Sequence, residues 1–131
     1  CLLEKHLITP TKKKLTPNQL STGLFAWKVV KHTKSNAIVV AKNNKIISIS
    51  GGQTSRVDAT KIAFEKTKIP KGCIVASDAF FPFKDSIEKM AQYNIAAIIQ
   101  PGGSIRDKEV VESCNKNKIA MAFTGFRVFK H

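Results

Sequence analysis

The amino-acid sequence predicts one α/β domain, a three-layer sandwich in which helices cover both faces of a mostly parallel sheet. Short apolar, β-rich runs alternate with segments of helical periodicity along most of its 131 residues. Hydrophobic residues make up 43% of the chain, which is enough to bury a core. Because strands joined through helices follow right-handed crossovers, we expect consecutive strands of this kind to lie parallel.

The first part of the chain is predicted to hold a connector and a helix. Residues 1–17 contain two prolines and a lysine run, which predicts a surface connector with little structure ahead of a domain over 18–131. Residues 18–31 are predicted to form a helix, because four large apolar residues recur there at nearly helical spacing: Leu20, Leu24, Trp27 and Val30.

The rest of the chain is predicted to form a β-hairpin followed by alternating helices and strands. Asn43-Asn44 separates two β-rich runs, as in a hairpin turn. Two helix starts carry the spacing of a capping box, Ser55 to Asp58 and Ser104 to Asp107. In chain order the predicted elements are strands over 37–41 and 45–50, a helix over 54–66, a strand over 73–76, a helix over 84–94, a strand over 95–99, a helix ending near 117 and a strand over 119–123.

The composition is strongly basic, and three explanations of that charge stay open. Lys and Arg number 22 against nine acidic residues, a formal net charge of +13. Nineteen of the 22 are lysine, whereas base readout and bidentate phosphate binding favour arginine. Solvated surface lysines are therefore favoured over a basic nucleic-acid-binding α/β module. A field that attracts small anionic substrates is the third explanation.

The remaining composition favours a cytoplasmic protein without a metal site. Cys1, Cys73 and Cys114 are an odd set without CxxC spacing, which argues against a disulfide scaffold and a zinc site. The zinc-ligand patterns of nucleobase deaminases do not occur. No apolar run is long enough to span a membrane, and no signal peptide is recognised. The start at Cys1 suggests a piece of a longer chain.

Three turns that follow predicted strands carry most of the functional signal. They cover 51–56 (Gly-Gly-Gln-Thr-Ser-Arg), 77–85 (Ser-Asp-Ala-Phe-Phe-Pro-Phe-Lys-Asp) and 100–107 (Gln-Pro-Gly-Gly-Ser-Ile-Arg-Asp). In a parallel sheet such turns meet at the carboxyl edge of the strands, where ligands bind. We therefore expect the three turns to contribute to one site.

The two glycine-rich turns are compatible with anion binding. Gly51-Gly52 lets a ligand approach the backbone, and the N–H groups that open a helix attract negative charge. Arg56 in the first helical turn is unfavourable unless a bound anion compensates. An ordinary turn with an exposed arginine explains the pattern equally well. The Pro101-Gly102-Gly103-Ser104 stretch repeats the pattern, as a second anion site or as a surface for a ligand ring.

The stretch from Asp78 to Asp85 combines carboxylates with three phenylalanines. Phe80, Phe81 and Phe83 offer ring faces to a planar heterocycle, while a carboxylate accepts hydrogen bonds from its N–H groups. The alternative is an aromatic plug in the core with Asp78 in an Asx turn, and the residues alone favour it.

Two further candidates lie outside these turns. Arg127 is a candidate phosphate ligand near the C-terminus, although tail residues are more often solvated. Lys31-His32 has the residue types of an acid–base pair. No acidic residue stands nearby in the sequence to orient the histidine, so a structural role is predicted for the pair.

Several motifs together resemble one enzyme family. In order they are FAWKVVK at 25–31, KSNAIV at 34–39, GQTSRVD at 52–58, SDAFFPF at 77–83, QPGGSIRD at 100–107 and FTGFRVFKH at 123–131. This set resembles the C-terminal part of the AICAR transformylase domain in the bifunctional AICAR transformylase/IMP cyclohydrolase family. The resemblance runs from Thr9 to His131 and implies that 18–131 is a cytidine-deaminase-like subdomain.

The resemblance implies a role in a folate-dependent formyltransferase of purine (IMP) biosynthesis. The formyl group passes from the co-substrate 10-formyltetrahydrofolate to AICAR, in a multifunctional, homodimeric enzyme that uses small anionic substrates and no metal. The residues that match nucleotide-contacting positions are Asn36, Arg56, Phe80 and Arg127. Those that match folate-contacting positions are Val57, Asp85, Ser104 and Ile105, and His131 matches a residue near the site.

One departure limits what the resemblance implies. The family's catalytic Lys-His pair stands in a Lys-His-x-Ser-Pro motif in the first half of its transformylase region. Here Lys31-His32 is followed by Thr-Lys-Ser-Asn, the duplicated counterpart of that motif. No catalytic residue is therefore assigned in this chain. We expect it to supply substrate-binding residues and to be inactive by itself.

Overall fold

The computed structural model describes residues 7–53, 55–78, 84–102 and 105–125, and of 56–58 and 84–85 the backbone only. In chain order its elements are α1 (Pro17–Lys31), β1 (Ile38–Lys42), β2 (Lys45–Ser50), α2 (Arg56–Glu65), β3 (Ile74–Ser77), α3 (Lys84–Ala91), β4 (Ala97–Gln100), α4 (Asp107–Lys116) and β5 (Ala120–Phe123). The predicted order of helices and strands is confirmed, with ends that shift by a few residues. None of the described helices is long and apolar enough to cross a membrane.

The five strands form one mixed sheet in the order β2-β1-β3-β4-β5. β1 pairs antiparallel with both β2 and β3, whereas β3, β4 and β5 pair parallel with one another. Four of the five strands therefore run in one direction, and β1 alone is reversed. The predicted mostly parallel sheet with an antiparallel hairpin at its edge is confirmed.

The hairpin turn follows from its two asparagines. Asn43 and Asn44 have φ angles of 50° and 60°, the left-handed region that a two-residue hairpin turn of the type I′ class requires. Asparagine adopts this region more readily than most residues other than glycine. The predicted turn position is confirmed, and the pairing register shifts between Val40 and Ala41.

Helices cover both faces of the sheet, which confirms the three-layer arrangement. Trp27 and Val30 of α1 share a core cluster with Val39 and Ile99 on one face. On the other face α2, α3 and α4 pack over a larger cluster that includes Ile98. Successive strand residues point to opposite faces, so Ile98 and Ile99 serve different layers. Buried on both sides, the central strands read as continuous apolar runs.

A capping box that the sequence analysis did not identify starts α1. The Thr16 hydroxyl accepts a hydrogen bond from the Gln19 backbone N–H at 3.2 Å, and Gln19 Oε1 accepts one from the Thr16 N–H at 3.0 Å. Pro17 takes the first helical position, where a missing N–H costs nothing. The start of α1 is therefore determined locally.

The two predicted capping boxes have different outcomes. Arg106, not Ser104, is the N-cap of α4, and its side chain makes no capping hydrogen bond. The Ser104–Asp107 box is therefore wrong: Asp107 opens the helix, where its charge complements the helix dipole. Ser55 directly precedes α2, as an N-cap does, and the Asp58 side chain lies outside the described part of the chain.

Much of the segment ahead of α1 packs against the sheet, unlike the predicted connector with little structure of its own. Ile8 and Phe123 exchange two backbone hydrogen bonds, of 3.0 and 2.6 Å. The Thr11 hydroxyl is buried and accepts a hydrogen bond from the Met121 N–H at 2.9 Å. This segment therefore covers part of the outer edge of β5, which an unpaired strand would leave open.

Candidate functional site

The carboxyl ends of β2, β3, β4 and β5 lie at one edge of the sheet. The start of β1, which runs in the opposite direction, lies at the same edge. Ser50 at the end of β2 lies opposite Ile38 at the start of β1, and Ile38 lies opposite Ser77 at the end of β3. Gln100 at the end of β4 lies opposite Phe123 at the end of β5. The described parts of the three predicted turns therefore leave the sheet at one edge.

Gly51 is required for close packing. A Cβ atom at this position would overlap the Cγ2 atom of Thr33 and lie 3.1 Å from the Lys34 carbonyl oxygen. Gly52 is different: its φ is +71°, and an added Cβ atom would make only an ordinary contact, 3.7 Å from Cδ of Lys34. Its N–H donates to the Lys34 carbonyl at 2.6 Å. The glycine pair thus brings the β2 turn against the segment that leads into β1.

Asn36 and Gln53 complete this contact. The backbone N–H and the side-chain Nδ2 of Asn36 both donate to the Gln53 carbonyl oxygen, at 3.1 and 3.0 Å. The Gln53 side chain donates in turn to the Gly51 carbonyl at 3.1 Å. The half-buried Asn36 is therefore held through both its main chain and its side chain, beside the turn that leads into α2.

Asp78 links the end of β3 to the same segment. Its Oδ2 accepts a hydrogen bond from the Ser35 hydroxyl at 2.6 Å, and its Oδ1 accepts one from the Ala37 N–H at 3.3 Å. Both carboxylate oxygens thus accept hydrogen bonds from the segment that leads into β1. The sequence analysis considered Asp78 as a ligand acceptor or an Asx-turn residue, and it did not foresee this link across strands.

The β4 and β5 ends stay paired beyond the strands. Thr124 and Gly125 donate their N–H groups to the carbonyls of Gln100 and Pro101, at 2.9 and 3.0 Å. Gly102 then turns the chain with φ at +79° and packs against the ring of Phe123, leaving no room for a side chain. On this half of the edge the described chain therefore stays hydrogen-bonded and packed as far as Gly102.

The structure places some of the predicted ligand residues at or near this edge. Asn36 lies in the segment held by Gln53, and Ile105, which precedes α4, is 99% exposed. Arg56 and Val57 open α2, directly after the glycine turn, and Asp85 is the second residue of α3. Of these last three the backbone alone is described. The other predicted ligand residues lie outside the described part of the chain: Phe80, Ser104, Arg127 and His131.

Lys31 and His32 are exposed at the end of α1. His32 is the C-cap residue, and its N–H donates to the Val29 carbonyl at 3.1 Å. A basic residue in the last helical turn complements the negative end of the helix dipole. The pair thus lies at the helix end, and the structural role predicted for it stays a prediction.

The sequence analysis missed several polar residues at this edge. Ser35 and Gln53 have no distinguishing pattern, because their partners become neighbours only on folding. Ser50 and Thr124 are buried, and no described residue hydrogen-bonds to the hydroxyl of either. Ser50 is the last residue of β2 and Thr124 directly follows β5, and this position at a strand end is the one signal that pointed to them.

The described cysteines are core residues rather than reactive groups. Burial raises the pKa of the Cys114 thiol to about 12, and burial also raises the pKa of Cys73, opposed by the charge of Lys42. Both stay protonated at neutral pH and so lack the thiolate that acts as nucleophile or metal ligand. Within the described ranges, no cluster of His, Cys, Asp and Glu is arranged to hold a metal ion.

The fold is an α/β domain in which the described parts of the three predicted turns leave the sheet at one edge. The model of the AICARFT/IMPCHase bienzyme family matches residues 2–66. Over 134 aligned positions the chain is 54% identical to the bifunctional purine biosynthesis protein PurH of Aquifex aeolicus, covering 99% of this chain and 26% of that protein. For PurH of Acetivibrio thermocellus the identity is 57% over 122 positions, covering 92% and 24%.

These matches support the PurH family for this chain and agree at that level with the resemblance found in its motifs. The PurH protein of Lactobacillus delbrueckii subsp. bulgaricus adds a further match, at 50% identity over 92% of the chain. The chain spans about a quarter of the length of the curated relatives it matches.

Proposed function

We propose that this chain is the C-terminal, cytidine-deaminase-like part of an AICAR transformylase domain. It contributes to formyl transfer from 10-formyltetrahydrofolate to AICAR, a phosphoribosylaminoimidazolecarboxamide formyltransferase reaction of purine biosynthesis. PurH relatives match 92 to 99% of the chain. The observation that carries the proposal is the common edge at which the three turns leave the sheet, because the motifs of the resemblance include all three turns.

The nucleotide site is proposed at the β2 turn and the start of α2. Asn36 is already held by two hydrogen bonds, so little conformational entropy is lost when it contacts a ligand. Arg56 opens α2, where an anionic phosphate of AICAR offsets the unfavourable position of a cation. Phe80 and Arg127 complete the proposed set as a ring face and a second cation.

The folate site is proposed at the same edge, next to the nucleotide site and extending from the start of α2 to the starts of α3 and α4. Ile105 is exposed to solvent two residues before α4, where its apolar side chain can cover a ring of the folate. The proposed set comprises Val57, Asp85, Ser104 and Ile105, with His131 nearby. The side chain of Asp85 supplies hydrogen-bond acceptors suited to a pterin-like ring. Folate carries carboxylates, so both substrates suit a chain of net charge +13.

Arg56→Ala is expected to weaken binding of AICAR to the purified chain about tenfold, because a charge-assisted contact to the phosphate is lost. Isothermal titration calorimetry measures the change. Lys61→Ala is the matched control, since it removes one positive charge from an exposed position of the same helix. Equal losses of AICAR affinity in the two variants would show that the effect comes from the net positive charge and not from a specific contact. Tight, salt-sensitive binding of DNA without saturable AICAR binding would instead favour the nucleic-acid module.

The chain by itself is expected to bind ligand without turnover. Lys31 and His32 are exposed at a helix end, and no catalytic residue is assigned among the matched motifs. The proposed full enzyme is a homodimer that also includes the first half of the transformylase region, to which the family's catalytic Lys-His pair belongs. A formylation assay with AICAR and 10-formyltetrahydrofolate checks this prediction. A rate near that of a complete transformylase would contradict it.

A further inference from the structure

We infer that Asp78 is a positioning residue of the ligand site, an inference that rests on the proposed function. Its carboxylate accepts hydrogen bonds from Ser35 and Ala37, at 2.6 and 3.3 Å. These two residues flank Asn36, a proposed AICAR contact. Asp78 therefore clamps the chain on both sides of Asn36 without using the Asn36 side chain itself.

The clamp sits where the pairing of β1 with β3 ends. Ile38 lies opposite Ser77, so Ala37 comes next to Asp78 beyond the strands. The Asp78 N–H donates to the Ala37 carbonyl at 3.5 Å, while the Ala37 N–H is bound by the Asp78 side chain. The carboxylate thus satisfies a buried N–H while the main chain after Asp78 leaves the sheet. Asp78→Ala therefore deletes a hydrogen-bond acceptor of this buried N–H, which costs free energy.

From Asn36 the contacts continue to the start of α2. Asn36 donates twice to the Gln53 carbonyl, and the Gly52 N–H donates to the Lys34 carbonyl at 2.6 Å. Ser55 follows two residues after Gln53, and Arg56 opens the helix. Asp78 at the end of β3 is thereby connected to Gln53, three residues ahead of Arg56, through hydrogen bonds to the residues on either side of Asn36 and from Asn36 itself.

Two substitutions of Asp78 distinguish a carboxylate that positions the chain from one that contacts the ligand through its charge. Asp78→Ala deletes both acceptors. Asp78→Asn retains an oxygen for the Ala37 N–H and places an amide beside the Ser35 hydroxyl, which can accept a hydrogen bond as well as donate one. Asparagine is therefore expected to preserve the clamp, although it removes the negative charge.

AICAR binding to the purified chain, measured by calorimetry, tests this distinction. We expect about tenfold weaker binding for Asp78→Ala, about threefold weaker for Ser35→Ala, and less than threefold for Asp78→Asn. The double variant Asp78→Ala/Ser35→Ala is expected to bind no more weakly than Asp78→Ala alone, because both remove the same link. Glu88→Gln, which neutralises an exposed carboxylate on α3, is the control and is expected to leave binding unchanged. If Asp78→Asn bound as weakly as Asp78→Ala while Ser35→Ala had no effect, the positioning role would be overturned.

Hydrogen exchange in the ligand-free chain separates this inference from the proposed function. The Asn36 amide proton is expected to exchange at least about tenfold faster in Asp78→Ala than in wild type, with amide protons of β4 unchanged and Asp78→Asn close to wild type. Unchanged protection of Asn36 in a folded Asp78→Ala variant would overturn the positioning role, whatever the ligand. The Asn36 amide proton could lose protection in Asp78→Ala while the wild-type chain binds neither AICAR nor a folate analogue. That result would support the hydrogen-bond network and reject the proposed ligands.

Discussion

Ile99→Ala is expected to lower the free energy of unfolding by about 4 kcal/mol, because it opens a cavity in the centre of the sheet. Ile99 is fully buried in β4 and packs on the side covered by α1. Its Cδ1 atom occupies the space over Gly23 of α1, where an added Cβ atom would overlap it. Urea denaturation of the purified chain measures the loss.

Substitution of Gly23 tests the same contact, because its effect on stability is expected to change sign with the residue at position 99. Gly23→Ala alone is expected to destabilise by about 1 kcal/mol, because overpacking against Ile99 outweighs the helix propensity gained by alanine. In the Ile99→Ala background the Cδ1 atom is absent, so Gly23→Ala is expected to fill part of the cavity and to stabilise. The sign of its effect therefore depends on residue 99.

Ile98 is the matched control for this cycle. It is as fully buried as Ile99 but serves the opposite face of the sheet. Ile98→Ala is expected to lower the free energy of unfolding by a similar amount. Adding Gly23→Ala to this variant is expected to restore none of that loss. Relief in the Ile98→Ala background, or none in the Ile99→Ala background, would contradict the packing of α1 on this face.

Gly102→Ala is expected to lower the free energy of unfolding by about 3 kcal/mol, because it combines backbone strain with a clash. Gly102 has φ at +79°, and an added Cβ atom would lie 2.9 Å from Cγ of the Phe123 ring. A ring atom cannot move aside as the end of a flexible side chain can. The strain falls on the turn after β4, so weaker binding of a folate analogue is expected as well.

Gly52→Ala isolates the strain from the clash. Gly52 also has a positive φ, +71°, but the nearest atom to an added Cβ is Cδ of the exposed Lys34, 3.7 Å away. The expected loss is about 1 kcal/mol, the cost of the left-handed conformation alone. Thermal and urea unfolding of both variants measure the difference. Equal losses would show that the Phe123 ring yields to the new methyl group.

The local parts of the fold were predictable from short stretches of sequence. Apolar spacing identified α1 to within a residue of its start, and Asn43-Asn44 marked the hairpin turn that the structure contains. The capping box of α4 was predicted wrongly, since Ser104 and Asp107 have the right spacing but the helix begins later. Spacing alone does not decide between overlapping local starts.

The sequence predicted where the candidate site lies in the fold but not the contacts among its residues. The rule that parallel strands bring their following turns to one edge anticipated where the three turns leave the sheet. It did not anticipate the bond between Ser35 and Asp78, which are 43 residues apart, or the use of Gly51 for packing against Thr33. Neither contact has a signature in the residues around it.

Periodicity, turn residues and composition by themselves determined the α/β class, the order of elements and the edge at which a ligand site was sought. These properties depend on residues within a few positions of one another, where backbone geometry imposes its period. Tertiary structure alone decided that β1 lies between β2 and β3, that Asp78 binds the segment around Asn36, and that Thr11 pairs with Met121, 110 residues away. Such contacts join distant parts of the chain, and their partners are selected only when the whole core packs.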